Sequence, residues 1–256
     1  MSARGFLRTA LAACVVGGVC IWQLVLANTG SASADDSSWV TGNAAATSQA
    51  ISLAPSTAGL NYAFVLSTSI AGYQDTEGQA EAETFNGTGN PLVLSLTSDQ
   101  CNGQAPTVSS SQLPQPALAE STNGNQSNSN NVTSQYGKVN GPVIGAGNET
   151  ASATTQPTAT SVSKVADFNV PGLFDVSGID TSAYAQQVTG QLRQATSTVD
   201  ISDVSLENGA VDLKGLHWDD TQETGPGGSI TKQSSTFSVQ GVSTGGVSLP
   251  ASVMSS

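Results

Sequence analysis

Residues 213–225, LKGLHWDDTQETG, hold the only histidine of the chain, His217, beside Trp218 and the carboxylates Asp219 and Asp220. His217 and Asp219 stand two residues apart, so on a strand they share one face and could begin a zinc-like site with a third carboxylate. The same imidazole is the one available base for a nucleophile, whether Cys101 or a serine. Nothing in the spacing brings Cys101 to it, and no sequence signal sets a serine beside it. A second acidic group, Asp75, Glu77, Glu81 and Glu83, has the chemistry for calcium but lacks the D-x-[DN]-x-[DN]-G loop. Paired carboxylates for glycoside hydrolysis are made by a fold rather than by spacing, and the aromatic platforms such sites use are few here. The reading therefore assigns no catalytic, cofactor-binding or metal-binding residue and no cofactor.

The elements that must position these groups read as strands. The strongest local signal is Asn208-Gly209 between alternating runs, the signature of a type I′ hairpin turn. That turn sets a register: Leu206 faces Val211, Val204 faces Leu213, Asp203 faces Lys214, Ile201 faces Leu216, Asp200 faces His217 and Val199 faces Trp218. Apolar residues meet apolar residues, and two polar pairs have complementary charge. The apolar face changes parity near Ser202 and Gly215, which predicts paired irregularities there. His217 is thus expected on the outward face opposite Asp200, with Leu216 and Trp218 packed inward and the two aspartates starting a turn.

Elsewhere, LNYAFVLSTSIAGY places Leu60, Tyr62, Phe64, Leu66 and Ile70 on one face of a strand. QDTEGQAEAETF follows as an exposed partner strand, and PLVLSLTSDQC holds a short buried one over Leu92 to Thr97. Residues 35–56 read as a flexible entry segment, and the Pro-, Ser- and Asn-rich residues 102–131 as a long loop. Tyr136 to Val143 and Ser161 to Val170 are strand-like. Tyr184 to Val204 reads as strand rather than helix because of Gly190 and the β-branched residues from Thr196 to Ile201. The expected fold is one all-β domain over 57–250, an antiparallel sandwich or irregular barrel of small-residue strands with long loops; a β-solenoid is the alternative.

Only 10% of residues are charged and the formal net charge is −12. Without Arg4 and Arg8 the balance is five basic to nineteen acidic residues, a net charge of −14. Nucleic acid and anionic membrane surfaces are disfavoured, because no basic patch exists to neutralise phosphates. The two arginines precede an apolar run from Leu11 to Leu26 and an Ala32-Ser33-Ala34 site, the order of a signal peptide, here 1–34 with cleavage after Ala34. Cys14 and Cys20 lie in that leader. Cys101 then remains as a free thiol, an intermolecular link or half of a bridge whose partner is missing. Sequons begin at Asn86, Asn125, Asn131 and Asn148 and matter only in a host that glycosylates them.

The stretch VDISDVSLENGAVDLKGLHW together with STFSVQGVSTGGVSLP resembles actinobacterial exported surface proteins of the choice-of-anchor P type, most specifically over residues 190–250. The resemblance implies an extracellular β-domain, commonly tethered by a C-terminal anchor, with no assigned activity. Residues 251–256 form a tail, and LPASVMSS departs from the pattern in having no apolar segment, so either release or a downstream anchor is expected. The functional expectation is an exported, non-enzymatic structural or interaction module of the cell envelope or medium, extracellular or at the cell surface. Its partner would be an unknown protein or glycan. The alternatives are a secreted hydrolase or metal-binding enzyme using acidic residues, and a carbohydrate-binding domain using Trp39, Tyr73 and Tyr136 if these are exposed.

Overall fold

The computed structural model describes residues 13–15, 19–21, 43–53, 56–57, 60–61, 64–86, 115–135, 143–170, 174–188 and 192–249. Four strands form the smaller sheet: β1 (Asn43–Leu53), β2 (Phe64–Gln74), β3 (Glu77–Asn86) and β4 (Ala117–Glu120). Eight form the larger: β5 (Gln126–Gln135), β6 (Val143–Thr154), β7 (Thr158–Val170), β8 (Phe174–Val188), β9 (Leu192–Leu206), β10 (Val211–Thr224), β11 (Ile230–Thr244) and β12 (Val247–Ser248). Within each sheet, strands adjacent in the chain are antiparallel neighbours. This all-β meander, two sheets packed face to face, is the expected sandwich; among the described residues neither a closed barrel nor a solenoid is formed.

Side-chain size decides how closely the sheets approach. One end of the interior is lined almost wholly by alanine, from Ala44, Ala46, Ala71, Ala80 and Ala82 on the small sheet to Ala151, Ala153, Ala183, Ala185 and Ala195 on the large one. Methyl groups cannot fill the usual spacing of about 10 Å between sheets, so the layers draw together. Serines then reach the opposite backbone: Ser69 Oγ donates to the Thr181 carbonyl at 3.0 Å, Ser67 Oγ to that of Ser163 at 3.0 Å, and Ser163 Oγ to that of Glu83 at 3.0 Å. These bonds satisfy buried hydroxyls that burial alone would penalise by about 1–3 kcal/mol each. At the other end larger groups meet, including Leu66, Phe85, Val165, Phe168, Ile179, Ile201 and Leu216, with the Phe85 and Phe168 rings stacked at 6.1 Å.

A transverse seam crosses this second cluster. In the large sheet Ala166, Gly178, Ser202, Gly215 and Gln240 face one another in turn yet drop out of the ladder. Buried positions jump from Ile201 to Val204 on β9 and from Ile179 to Val176 on β8, so two successive residues face outward between them. In the small sheet the pattern is reversed: Ala50 with Ile51, Leu66 with Ser67, and Thr84 with Phe85 are adjacent and all buried. Two successive residues out on one layer and two in on the other bend both sheets along one line. Gly178 and Gly215 take the left-handed φ of 61° and 57° that this bend requires, and Ser67 adopts 54° despite its side chain.

The hairpin register agrees pair for pair with the one derived from Asn208-Gly209, including the irregularity at Ser202 and Gly215. At the tip, Asn208 and Gly209 have φ of 57° and 89°, as a type I′ turn needs, and Glu207 is also left-handed at 47°.

Other expectations need correction. Residues 35–56 contain a core strand, since β1 buries Ala44, Ala46, Ala50 and Ile51. The loop assigned to 102–131 ends before Ala117: β4 and β5 are the edge strands of the two sheets, joined by a short turn. Polar composition did not prevent strand formation, because an edge strand needs one hydrogen-bonded side and one buried face at most. Ile70 lies outside, 39% exposed, because the Ser67 kink flips the face after Leu66. β3 is not wholly exposed, since Ala80 and Ala82 pack inward. Strand β10 runs on to Thr224 before the turn, which begins at Gly225, so Asp219 and Asp220 lie within it. Cleavage at Ala34, Trp39, Leu92 to Thr97, Cys101, Tyr136 and residues 251–256 lie outside the described residues.

Candidate functional site

The hairpin β9–β10 sets His217 on the outer face of the large sheet. Its Nδ1 lies 2.6 Å from Asp200 Oδ1, with both side chains well exposed at 41% and 53%. Asp219 does not join this pair; its Oδ2 accepts a hydrogen bond from Thr198 Oγ1 at 3.2 Å. Asp220 faces the other way, and burial, then the charge of Asp219, raises its pKa. Among the described residues no group of three or more His, Cys, Asp or Glu side chains is placed to hold a metal ion.

The pair belongs to a longer row. Across the outer face, Asn148, Lys164, Asp180, Asp200, His217 and Ser238 stand opposite one another on successive strands. Lys164 Nζ contacts Asp180 Oδ2 at 2.5 Å. One step beyond the hairpin, the register thus puts Ser238 on the far side of His217 from Asp200, a neighbour that motif reasoning missed. Extending the pairing through the Gly-Pro-Gly-Gly turn from Trp218 opposite Phe237 would have found it. Among the described residues no hydrogen bond joins Ser238 to the imidazole, and the row lies on open sheet.

The acidic residues considered for calcium separate. Asp75, Glu77 and Glu81, with Glu120, line a trough of about 730 Å³ on the outer face of the small sheet, where Ile70 and Leu118 are exposed. Glu83 is buried. Tyr73, a candidate sugar platform, is 5% exposed and points into the sandwich, its pKa pushed up to about 12 by burial despite the nearby Arg193 guanidinium. An unanticipated carboxylate is fully buried instead: Glu149 Oε1 accepts from Thr84 N at 2.6 Å and from Thr84 Oγ1 at 2.8 Å, tying the large sheet to the small one. Its Oε2 has no partner in good geometry. Burial raises the Glu149 pKa, with Thr84, Asn130 and the Ala117 backbone pulling it down.

The largest departure from a closed sandwich is a wing. The small sheet packs chiefly on β6 to β9, leaving β10, β11 and β12 beyond its rim. The inner face of that wing continues the core row by row, from Val199 to Trp218 to Phe237 and from Ile201 to Leu216 to Val239. Leu213 and Trp218 pack against the core cluster but remain half-buried, and Phe237 is 53% exposed. The Trp218 and Phe237 rings meet at 4.5 Å. The edge of β11, free among the described residues, borders this face, for β12 pairs only with Ser243 and Thr244. A rim of apolar side chains beside an open strand edge is built for association with another polypeptide. Comparison of the chain with protein-family models, curated proteins and solved structures returned no match.

Proposed function

We propose that the chain is an exported, non-enzymatic structural or interaction module of the cell envelope or medium, working through the wing of β10, β11 and β12. The observation that carries this reading is the row Val199, Trp218, Phe237, which leaves the core and ends at a 53% exposed aromatic ring on a sheet edge. Export is supported by the leader-like residues 1–34, and surface attachment by the resemblance of residues 190–250 to anchored surface proteins. The apolar inner face and open edge suit a protein strand better than a glycan, which would call for exposed aromatic platforms flanked by polar groups.

The test adds purified protein to washed cells of its own host and compares it with the variant Phe237→Asp/Val239→Asp. Retention of the wild-type chain and at least tenfold weaker retention of the variant are expected; equal retention would remove the wing from the mechanism. A second reading, a secreted hydrolase, is favoured by the row Asp200, His217, Ser238. Hydrolysis of simple esters by the wild-type protein that His217→Ala abolishes would establish that reading in place of the module.

A further inference from the structure

We propose that the partner of the wing is a second copy of this chain, joined by antiparallel pairing of β11 with itself across a two-fold axis at Phe237. The inference rests on the wing reading and names its occupant.

Three observations select this edge. From Ile230 to Gly241 the outer side of β11 has no strand partner among the described residues, since Val247 and Ser248 pair with Thr244 and Ser243 and Leu249 N reaches the Val242 carbonyl. Natural edge strands are guarded by charges, prolines or bulges, and β11 offers one charge, Lys232, and one bulge, at Thr231, both near its start and away from Phe237. β11 itself carries none of the chain's 19 acidic residues, those nearest lying across the ladder on β10, with Asp219 opposite Thr236 and Glu223 opposite Lys232, so a two-fold contact along β11 brings no carboxylate onto the axis. The opposite edge, β5, is also uncharged but holds no apolar stripe, and its asparagines are engaged: Asn130 Nδ2 donates to the Gln115 carbonyl at 2.9 Å and Asn131 Oδ1 accepts from Asn148 at 3.1 Å.

A two-fold axis makes the contact isologous and closed, so it ends at a dimer rather than a fibre. Centred on Phe237, it sets Phe237 against its own copy and extends the row from Trp218 and Phe237 into the second copy's Phe237 and Trp218. Thr236 then faces the second copy's Ser238, and this pair occurs twice, on the outer face.

The full chain, as exported by its host, is examined by sedimentation equilibrium with two variants. Within one copy Thr236 faces Asp219 and Ser238 faces His217, so neither substitution disturbs the monomer strongly. Thr236→Lys/Ser238→Lys crowds four ammonium groups about the axis and is expected to raise the dimer dissociation constant at least tenfold. Thr236→Lys/Ser238→Asp makes two complementary cross-copy pairs and is expected to restore dimerisation to the wild-type level or better. Circular dichroism identical to wild type accompanies both.

A monomeric wild-type chain, or a dimer indifferent to both variants, overturns the proposal. A monomer whose retention on cells still depends on Phe237 and Val239 overturns the second copy alone and leaves the wing with a different partner. A dimer that behaves as expected, with cell retention unchanged by Phe237→Asp/Val239→Asp, overturns the wing's role at the cell and leaves self-association standing.

Discussion

Gly178→Ala probes the seam that sets which face each residue of the wing occupies. At φ 61° an alanine pays about 1–2 kcal/mol for the left-handed conformation. Its Cβ would also stand 2.3 Å from Ser202 Oγ and 2.8 Å from Ser202 Cβ. The hydroxyl can rotate away, but the Cβ is fixed to the backbone, so β8 and β9 must part locally at a cost of about 1–3 kcal/mol. The combined loss expected is about 2–5 kcal/mol, read as a lower urea midpoint with an unchanged slope. Ser202→Gly removes both clashing atoms and leaves the φ penalty. Alone it should cost about 0.5–1 kcal/mol as a strand glycine. In the double variant the clash is gone, so its loss should fall short of the sum of the two single losses by about 1–3 kcal/mol. A Gly178→Ala variant within about 0.5 kcal/mol of wild type, or strict additivity with Ser202→Gly, would refute the seam as an account of the face change.

At Ser67 the φ of 54° predicts an inverted ranking: Ser67→Gly should be less destabilising than Ser67→Ala by about 1 kcal/mol in chemical denaturation, although glycine is normally the poorer strand residue. Trp218→Ala should cost about 2 kcal/mol, since it exposes core and loses the Phe237 contact, whereas His217→Ala, at an exposed pair, should cost less than about 1 kcal/mol; a reversed order would show that the imidazole anchors the strand. Glu149 has a folded pKa raised above its unfolded value, so its contribution is favourable below the unfolded carboxyl range and is lost as pH rises through the raised value. Glu149→Gln keeps an acceptor for Thr84 and should therefore be the more stable protein at neutral pH, with the two converging in acid; urea titrations from pH 4 to pH 8 check the crossover, and parallel curves would mean that Glu149 ionises freely.

Much of the candidate site was legible because a hairpin is local. Asn208-Gly209 sets the turn, the turn sets the register, and the alternation of Val199, Ile201 and Val204 against Trp218, Leu216 and Leu213 places His217 beside Asp200 on the outer face. The same arithmetic carried one strand further reaches Ser238 only if the Gly225 to Ser229 turn is known to be tight and the one-residue bulge at Thr231 is counted, since Thr224 faces Ile230 but Glu223 faces Lys232. The polar strand β5 was illegible because its composition is that of a loop, and a neighbouring strand's backbone, not its own propensity, makes it extended; β4 was illegible because four residues, Ala117–Glu120, are too few to show a period. Ile70 was misread for a different reason: a single left-handed residue at Ser67 reverses the face of everything after it, and serine gives no sign of doing so.

By itself the sequence determined an acidic, small-residue, all-β chain with one well-registered hairpin, because composition and period-two alternation are properties of the local chain. Only the tertiary structure decided that eight strands would be covered by four. The width of each sheet is set by where the meander turns back to start a second layer, and no local pattern encodes that. The consequence is the wing, in which Trp218, inward-packed by the sequence pattern, is only half-buried and meets Phe237 at an edge that is open among the described residues.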